Sequence, residues 1–184
     1  MRELVREVRR LKKEIGKEVA RRIHEFKNMQ GSSHEALFSE LCFCILTAGC
    51  SAERCIKVQR NIGEGFLTLP RSKLEQRLRE LGYRFPSRAR YIVNARKHAQ
   101  SLPKILKEDP QKLREWLVKD IRGIGHKEAS HFMRNVGFGD VAIIDRHVLR
   151  VLKEHGVWEG KLSKRGYLEA ERRLRKIARE AGVT

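Results

Sequence analysis

Residues 113–136 read LREWLVKDIRGIGHKEASHFMRNV, and this stretch decides the fold. Leu113, Trp116 and Leu117 share one face of a helix that runs out at Asp120. Gly123 and Gly125 follow, separated by the apolar Ile124. Both glycines can take backbone angles closed to other residues, which permits a tight hairpin. A second helix then carries Ala129, Phe132, Met133 and Val136 on one face. The segment from about 112 to 136 therefore has a helix-hairpin-helix layout. Such a hairpin presents backbone N–H groups beside a helix N-terminus, which suits a DNA phosphate without reading base sequence. An ordinary helical turn is the plainer alternative.

Outward from that stretch the periodicity stays helical. Leu4, Val8, Leu11, Ile15, Val19, Ile23 and Phe26 step by three or four and predict a long amphipathic first helix. A second apolar stretch runs from Ala36 to Ala48, and Tyr167, Ala170, Leu174, Ile177 and Ala181 give the last helix its apolar face. Pro70, Pro86, Pro103 and Pro110 cut the middle of the chain into short helices. Val141–Ile144 is the one strand-like run, too short and isolated to make a sheet. The expected fold class is all-α.

Composition limits the function. The chain has 184 residues, with 41 Lys+Arg against 23 Asp+Glu for a net charge of +18, and 40% of residues are apolar. That apolar share supports a sizeable core and excludes a disordered basic tail. No run approaches the roughly 18 apolar residues of a membrane span. Met1 opens directly into Arg2 and Glu3 with no apolar signal core, so a cytoplasmic, nucleoid-associated protein is expected. The charge surplus points to a polyanion, with DNA or RNA ahead of anionic lipid. Cys42, Cys44, Cys50 and Cys55 form no CxxC pair and read as reduced, partly buried thiols rather than metal ligands. Scarce Asn and Gln beside abundant Lys, Arg and Glu is the bias of heat-adapted, thermophile proteins.

Two residues carry chemistry. Lys127 stands in the first turn of the second hairpin helix, where the positive end of the helix dipole disfavours an ammonium. The dipole and partial burial both favour the free amine that a nucleophile requires. Asp145 follows Val141–Ile144 and precedes the apolar Val148, Leu149, Val151 and Leu152, so it reads as the N-cap of another helix, at a cleft. Taken singly, the lysine could be a phosphate partner and the aspartate a plain cap.

Taken together, Gly123-Ile124-Gly125-His126-Lys127 and a later Asp145 before a helix resemble the helix-hairpin-helix-GPD superfamily of DNA glycosylases. The run GIGHKEASHFMRNVGFGDVAIIDRH is similar to the type 2 8-oxoguanine DNA glycosylase/lyases of archaea and some bacteria, and LCFCILTAGCSAERC and GYRFPSRARYIVNAR extend the likeness. The resemblance implies two helical lobes with a DNA-binding cleft between them. One lobe would comprise residues 1–28 with 136–184 and carry Asp145; the other, 29–135, would end in the hairpin and carry Lys127.

It also implies a reaction. A damaged base is flipped into the cleft, Lys127 attacks C1′ and displaces it, and the resulting Schiff base permits β-elimination. Asp145 would stabilise charge on the sugar and help position or deprotonate the amine. The implied partner is double-stranded DNA containing oxidised guanine, bound by a monomer without a cofactor or catalytic metal. A monovalent cation would sit on the backbone carbonyls of Lys119, Ile121 and Ile124. Gly123 and Gly125, with Arg54, Arg84, Arg88, Arg122 and Arg146, would grip phosphates, and Arg54, Arg84 and Phe85 lie in segments resembling those that fill the hole left by flipping, with core packing the alternative for Phe85.

Two departures stand out. Gly49 occupies a position where relatives usually carry Asn or Gln to insert into the duplex, so either the wedge comes from elsewhere or affinity is weakened. The family also continues into an aromatic segment with a terminal lysine, whereas the residues here are Ala181-Gly182-Val183-Thr184, so no base-reading residue is assigned. All four cysteines precede residue 56, which argues against the iron–sulfur endonuclease III branch. The competing readings are a non-enzymatic helix-hairpin-helix module that binds DNA backbone, a glycosylase for another damaged base, and a basic RNA-binding protein.

Overall fold

The structure, a computed structural model, describes residues 1–183. Eleven α-helices and no strand occur among them. In chain order they are α1 (Arg2–Asn28), α2 (His34–Thr47), α3 (Ala52–Ile62), α4 (Gly65–Thr68), α5 (Arg71–Glu80) and α6 (Ala89–Ala95). Then come α7 (Leu102–Ile105), α8 (Pro110–Asp120), α9 (His126–Asn135), α10 (Arg146–Glu154) and α11 (Lys164–Ala181). The chain is all-α. Local chemistry sets many of the boundaries. Ser33, Ser51 and Ser163 accept backbone N–H bonds that open α2, α3 and α11, while Asp109 and Asp145 open α8 and α10.

Two apolar clusters organise these helices. The larger draws on residues from Leu37 to Val136 and is built around α2. Residues 41–47 of α2 are buried without a break, as expected for a helix that is apolar all round. Cys42, Cys44 and Cys55 are free and buried here, and burial pushes the Cys42 and Cys44 thiols well above their ordinary range. The smaller cluster joins both ends of the chain: Leu4 and Val5 of α1 meet Ile144, Leu152, Trp158 and Tyr167, Ala170, Ile177 and Ala181 of α11.

The first helix differs from the sequence expectation in one respect. Only Leu4 and Val5 of its apolar stripe are buried, while Leu11, Ile15 and Val19 are 42%, 51% and 45% exposed. The cause is length. The end of α11 reaches α1 near its start, where Arg9 and Lys12 donate to the Glu180 and Gly182 carbonyls. Further along, Phe26 lies 4.3 Å from the Arg134 guanidinium of α9. Between these two supports α1 bridges the clusters uncovered.

Candidate active site

The hairpin between α8 and α9 is anchored by its apolar residues. Ile121 and Ile124 are buried, and the Ile124 N–H donates to the Ile121 carbonyl at 3.2 Å. Gly123 is required twice over. Its φ is +90°, and a Cβ there would lie 2.7 Å from the Tyr91 ring of α6. Arg122 is exposed and sits 5.4 Å over that same ring. Tyr91 is a member of this surface that the sequence did not mark, because nothing local ties α6 to the hairpin.

Gly125 caps α9, and Lys127 follows in the first turn with its side chain 30% exposed. The neighbouring Glu128 does two things. One carboxylate oxygen accepts the Gly125 N–H at 3.3 Å, and the other lies 3.4 Å from Lys127 Nζ. The acid therefore opposes the repulsion between the ammonium and the positive end of the helix dipole. One turn further on, burial pushes His131 down to about 4, with the Arg134 and Lys127 charges adding to the effect. Its ring packs edge-on against Phe43 at 5.5 Å. His131 is a neutral neighbour of the lysine, and its i,i+4 spacing from Lys127 was the available signal.

Asp145 is the N-cap expected from the sequence. One oxygen accepts N–H bonds from His147 at 2.9 Å and Val148 at 3.0 Å. Burial alone would raise its carboxyl. The Val148 and His147 amides, helped by the His147 and Lys127 charges, instead hold it below the usual carboxylate range. Lys127 thus acts on Asp145 through space. Lys127 stands in the first turn of α9 and Asp145 opens α10, and the lysine charge is among those that lower the carboxyl.

A second group of predicted residues gathers around Gly49. The Phe85 ring would lie 3.6 Å from a Cβ at Gly49, whose φ of +75° favours glycine. Arg88 and Arg84 sit 4.8 and 5.3 Å over the same ring. Arg54 reaches from α3 to the Gly82 carbonyl at 2.6 Å, tying its helix to the turn that presents Phe85. The ring is half-buried, packed on the larger cluster and flanked by cations. Arg146 stands exposed in the first turn of α10, directly after Asp145. Among the described residues no cluster of His, Cys, Asp or Glu is arranged to hold a metal ion, and no helix is long and apolar enough to cross a membrane.

Comparison with known proteins decides the family. A family model for 8-oxoguanine DNA glycosylase matches residues 19–183. The chain belongs to that family. It is 49% identical to the 8-oxoguanine DNA glycosylase/AP lyase of Methanocaldococcus jannaschii over 98% of this chain and 90% of that protein. The crystal structure of the Thermotoga maritima 8-oxoguanine DNA glycosylase superposes with a TM-score of 0.92 at 46% identity, covering 100% of this chain and 91% of the other. The M. jannaschii glycosylase/lyase in complex with a 15-mer DNA containing 8-oxoguanine gives a TM-score of 0.93 at 48% identity, over 98% and 90%. Within the 8-oxoguanine DNA glycosylase family, the helix-hairpin-helix reading of residues 113–136 falls inside the matched region.

Proposed function

We propose that this chain is a bifunctional glycosylase/AP lyase that excises 8-oxoguanine from duplex DNA, with Lys127 as nucleophile and Asp145 as its electrostatic partner. The presence of Lys127 and Asp145 at two helix starts, with the lysine charge helping to lower the carboxyl, supports the reading, because a protein that only grips backbone needs neither. The neutral Lys127 amine attacks C1′ of the flipped nucleotide, the C1′–N9 bond breaks, and the base leaves with a proton. The nitrogen lone pair then opens the sugar, O4′ leaves and takes up a proton from water, and the iminium formed at C1′ keeps the second amine proton. Removal of a C2′ proton then expels the 3′ phosphate by β-elimination, and water releases the lysine.

Asp145 keeps its negative charge through these steps, because its lowered proton affinity suits it to stabilise cationic character on the sugar. Glu128, 3.4 Å from Nζ, is the nearer carboxylate to the ammonium. The lobe of residues 1–28 and 136–184 and the lobe of 29–135 would close on the flipped nucleotide, acting as a monomer on nucleoid DNA. Arg54, Arg84, Arg122 and Arg146 would hold flanking phosphates, and Phe85, lying over Gly49, would supply the wedge that Gly49 cannot. Gly123 and Gly125 would offer hairpin amides to a phosphate. The carbonyls of Lys119, Ile121 and Ile124 would hold a monovalent cation, which shares the Ile121 oxygen with the Ile124 N–H.

Borohydride trapping tests the reading. The wild type forms a covalent complex with an 8-oxoguanine duplex, and Lys127→Ala abolishes it while retaining DNA binding. Equal strand cleavage by Lys127→Ala would overturn the nucleophile assignment. Binding without excision by the wild type would leave a backbone-binding module.

A further inference from the structure

Asp145 is only as well placed as the segment that delivers it, and residues 140–144 have no strand beside them. Side chains of α11 take the place of a strand. Tyr167 Oη donates to the Ala142 carbonyl at 2.6 Å and accepts the Ile144 N–H at 3.2 Å. Glu171 accepts the Ala142 N–H at 2.9 Å, and Arg175 donates to the Asp140 carbonyl at 3.0 Å. These three residues recur every four positions and form one stripe of the helix. The buried Ile144 N–H and the half-buried Ala142 N–H and carbonyl are thereby given partners that no strand supplies.

Glu171 does more than receive Ala142. It pairs in bidentate fashion with Arg114 of α8, at 2.7 and 2.8 Å, and the two side chains are 3% and 5% exposed. Burial alone would raise the Glu171 carboxyl, but the Arg114 and Ala142 hydrogen bonds hold it below its ordinary value, so it stays charged. Arg114 also donates to Ser130 Oγ at 3.2 Å, and Ser130 lies on α9, the helix that begins with Lys127. A continuous polar path thus runs from the lysine's helix through Ser130, Arg114 and Glu171 to Ala142, three residues before Asp145. Replacing a buried ion pair by apolar side chains of similar size is often neutral for stability, so what this pair adds is direction.

We propose that Arg114 and Glu171 are positioning residues: they clamp the 140–145 segment against α9 and so set the placement of Asp145 relative to Lys127. The proposal rests on the glycosylase/lyase reading above. Two double variants separate direction from stability. Arg114→Met with Glu171→Met removes the pair and the acceptor for Ala142. Arg114→Met with Glu171→Gln removes the charges but keeps an acceptor of nearly the same shape. The second variant should melt close to the wild type and the first somewhat lower, because its Ala142 N–H is left unmet, and both should bind an 8-oxoguanine duplex as tightly. The first should lose about 10- to 100-fold in single-turnover excision, the range expected when a reacting group shifts by about 1 Å. The second should keep most of the rate.

Amide hydrogen exchange of Ala142 in the free protein supplies a readout independent of activity. It should quicken in the first variant and not in the second. Wild-type excision by the first variant, or equal losses in both that follow their melting temperatures, would overturn the proposal. Unchanged Ala142 exchange in the first variant would overturn it whatever the activity. A wild type that fails on 8-oxoguanine yet is trapped on an abasic-site duplex would overturn the substrate reading alone, and the clamp would then be judged from trapping rates.

Discussion

The two apolar clusters hold the hairpin helix and the Asp145 segment by different means. Around α2 the buried residues are almost wholly apolar, and Lys127 extends from a helix packed on that mass through Phe132 and Met133. The apolar cluster between α1 and α11 is far smaller, and the Asp145 segment beside it is fixed by Tyr167, Glu171 and Arg175. Apolar burial contributes stability without direction. Hydrogen bonds from named atoms fix direction and add little net stability. Under the proposed function, a nucleophile on a long side chain tolerates the first kind of support, whereas a carboxylate that must meet a developing charge needs the second.

Substitutions can break or sharpen this contrast. The largest stability loss is expected for Glu171→Ala, which leaves Arg114 buried without its partner and costs about 3–5 kcal/mol. Urea unfolding measures it, and a loss under about 0.5 kcal/mol, the size of an ordinary surface change, would erase the distinction between the lobes. Leu41→Ala in α2 follows, at about 2–5 kcal/mol for a fully buried leucine. Its excision rate, corrected for the folded fraction, should match the wild type.

Acidification acts on the central lobe through His131. Its folded-state value near 4 lies below the ordinary 6.5, so the unfolded chain takes up a proton that the folded site refuses. Stability is therefore lost as pH falls from about 6.5 toward 4, and His131→Leu should flatten that part of a melting-temperature profile. Tyr167→Phe removes one hydroxyl and leaves the Ile144 N–H and the Ala142 carbonyl unmet, at about 1–3 kcal/mol. The smallest stability change belongs to Asp145→Asn, within about 0.5 kcal/mol because asparagine caps helices as well as aspartate. Excision by that variant should nevertheless be almost lost, with DNA binding intact.

What was legible in the sequence was local. Gly123, Gly125 and the apolar positions around them announce a hairpin within a few residues, and Asp145 shows itself as a cap by the helix that follows. The all-round apolar α2 could be read in the same way. The clamp could not: Arg114 and Glu171 are two charges among 41 Lys+Arg and 23 Asp+Glu, and they stand 57 positions apart. Phe85 over Gly49 and Tyr91 against Gly123 are equally non-local. The α1 stripe failed in the opposite sense, since periodicity marks an apolar face but not whether α11 is long enough to cover it.

The meeting of the chain ends also sets an order of assembly. The amino group of Met1 donates to the His155 carbonyl at 3.3 Å, and Arg9 and Lys12 reach the last turn of α11. As the chain leaves the ribosome, the central lobe is complete once α9 has emerged, because its cluster ends at Val136. Helix α1 must then wait for α11. A chain still without α11 would carry the hairpin and Lys127 while the Asp145 segment lacks its support, and under the proposed function it would reach DNA before it could cut it.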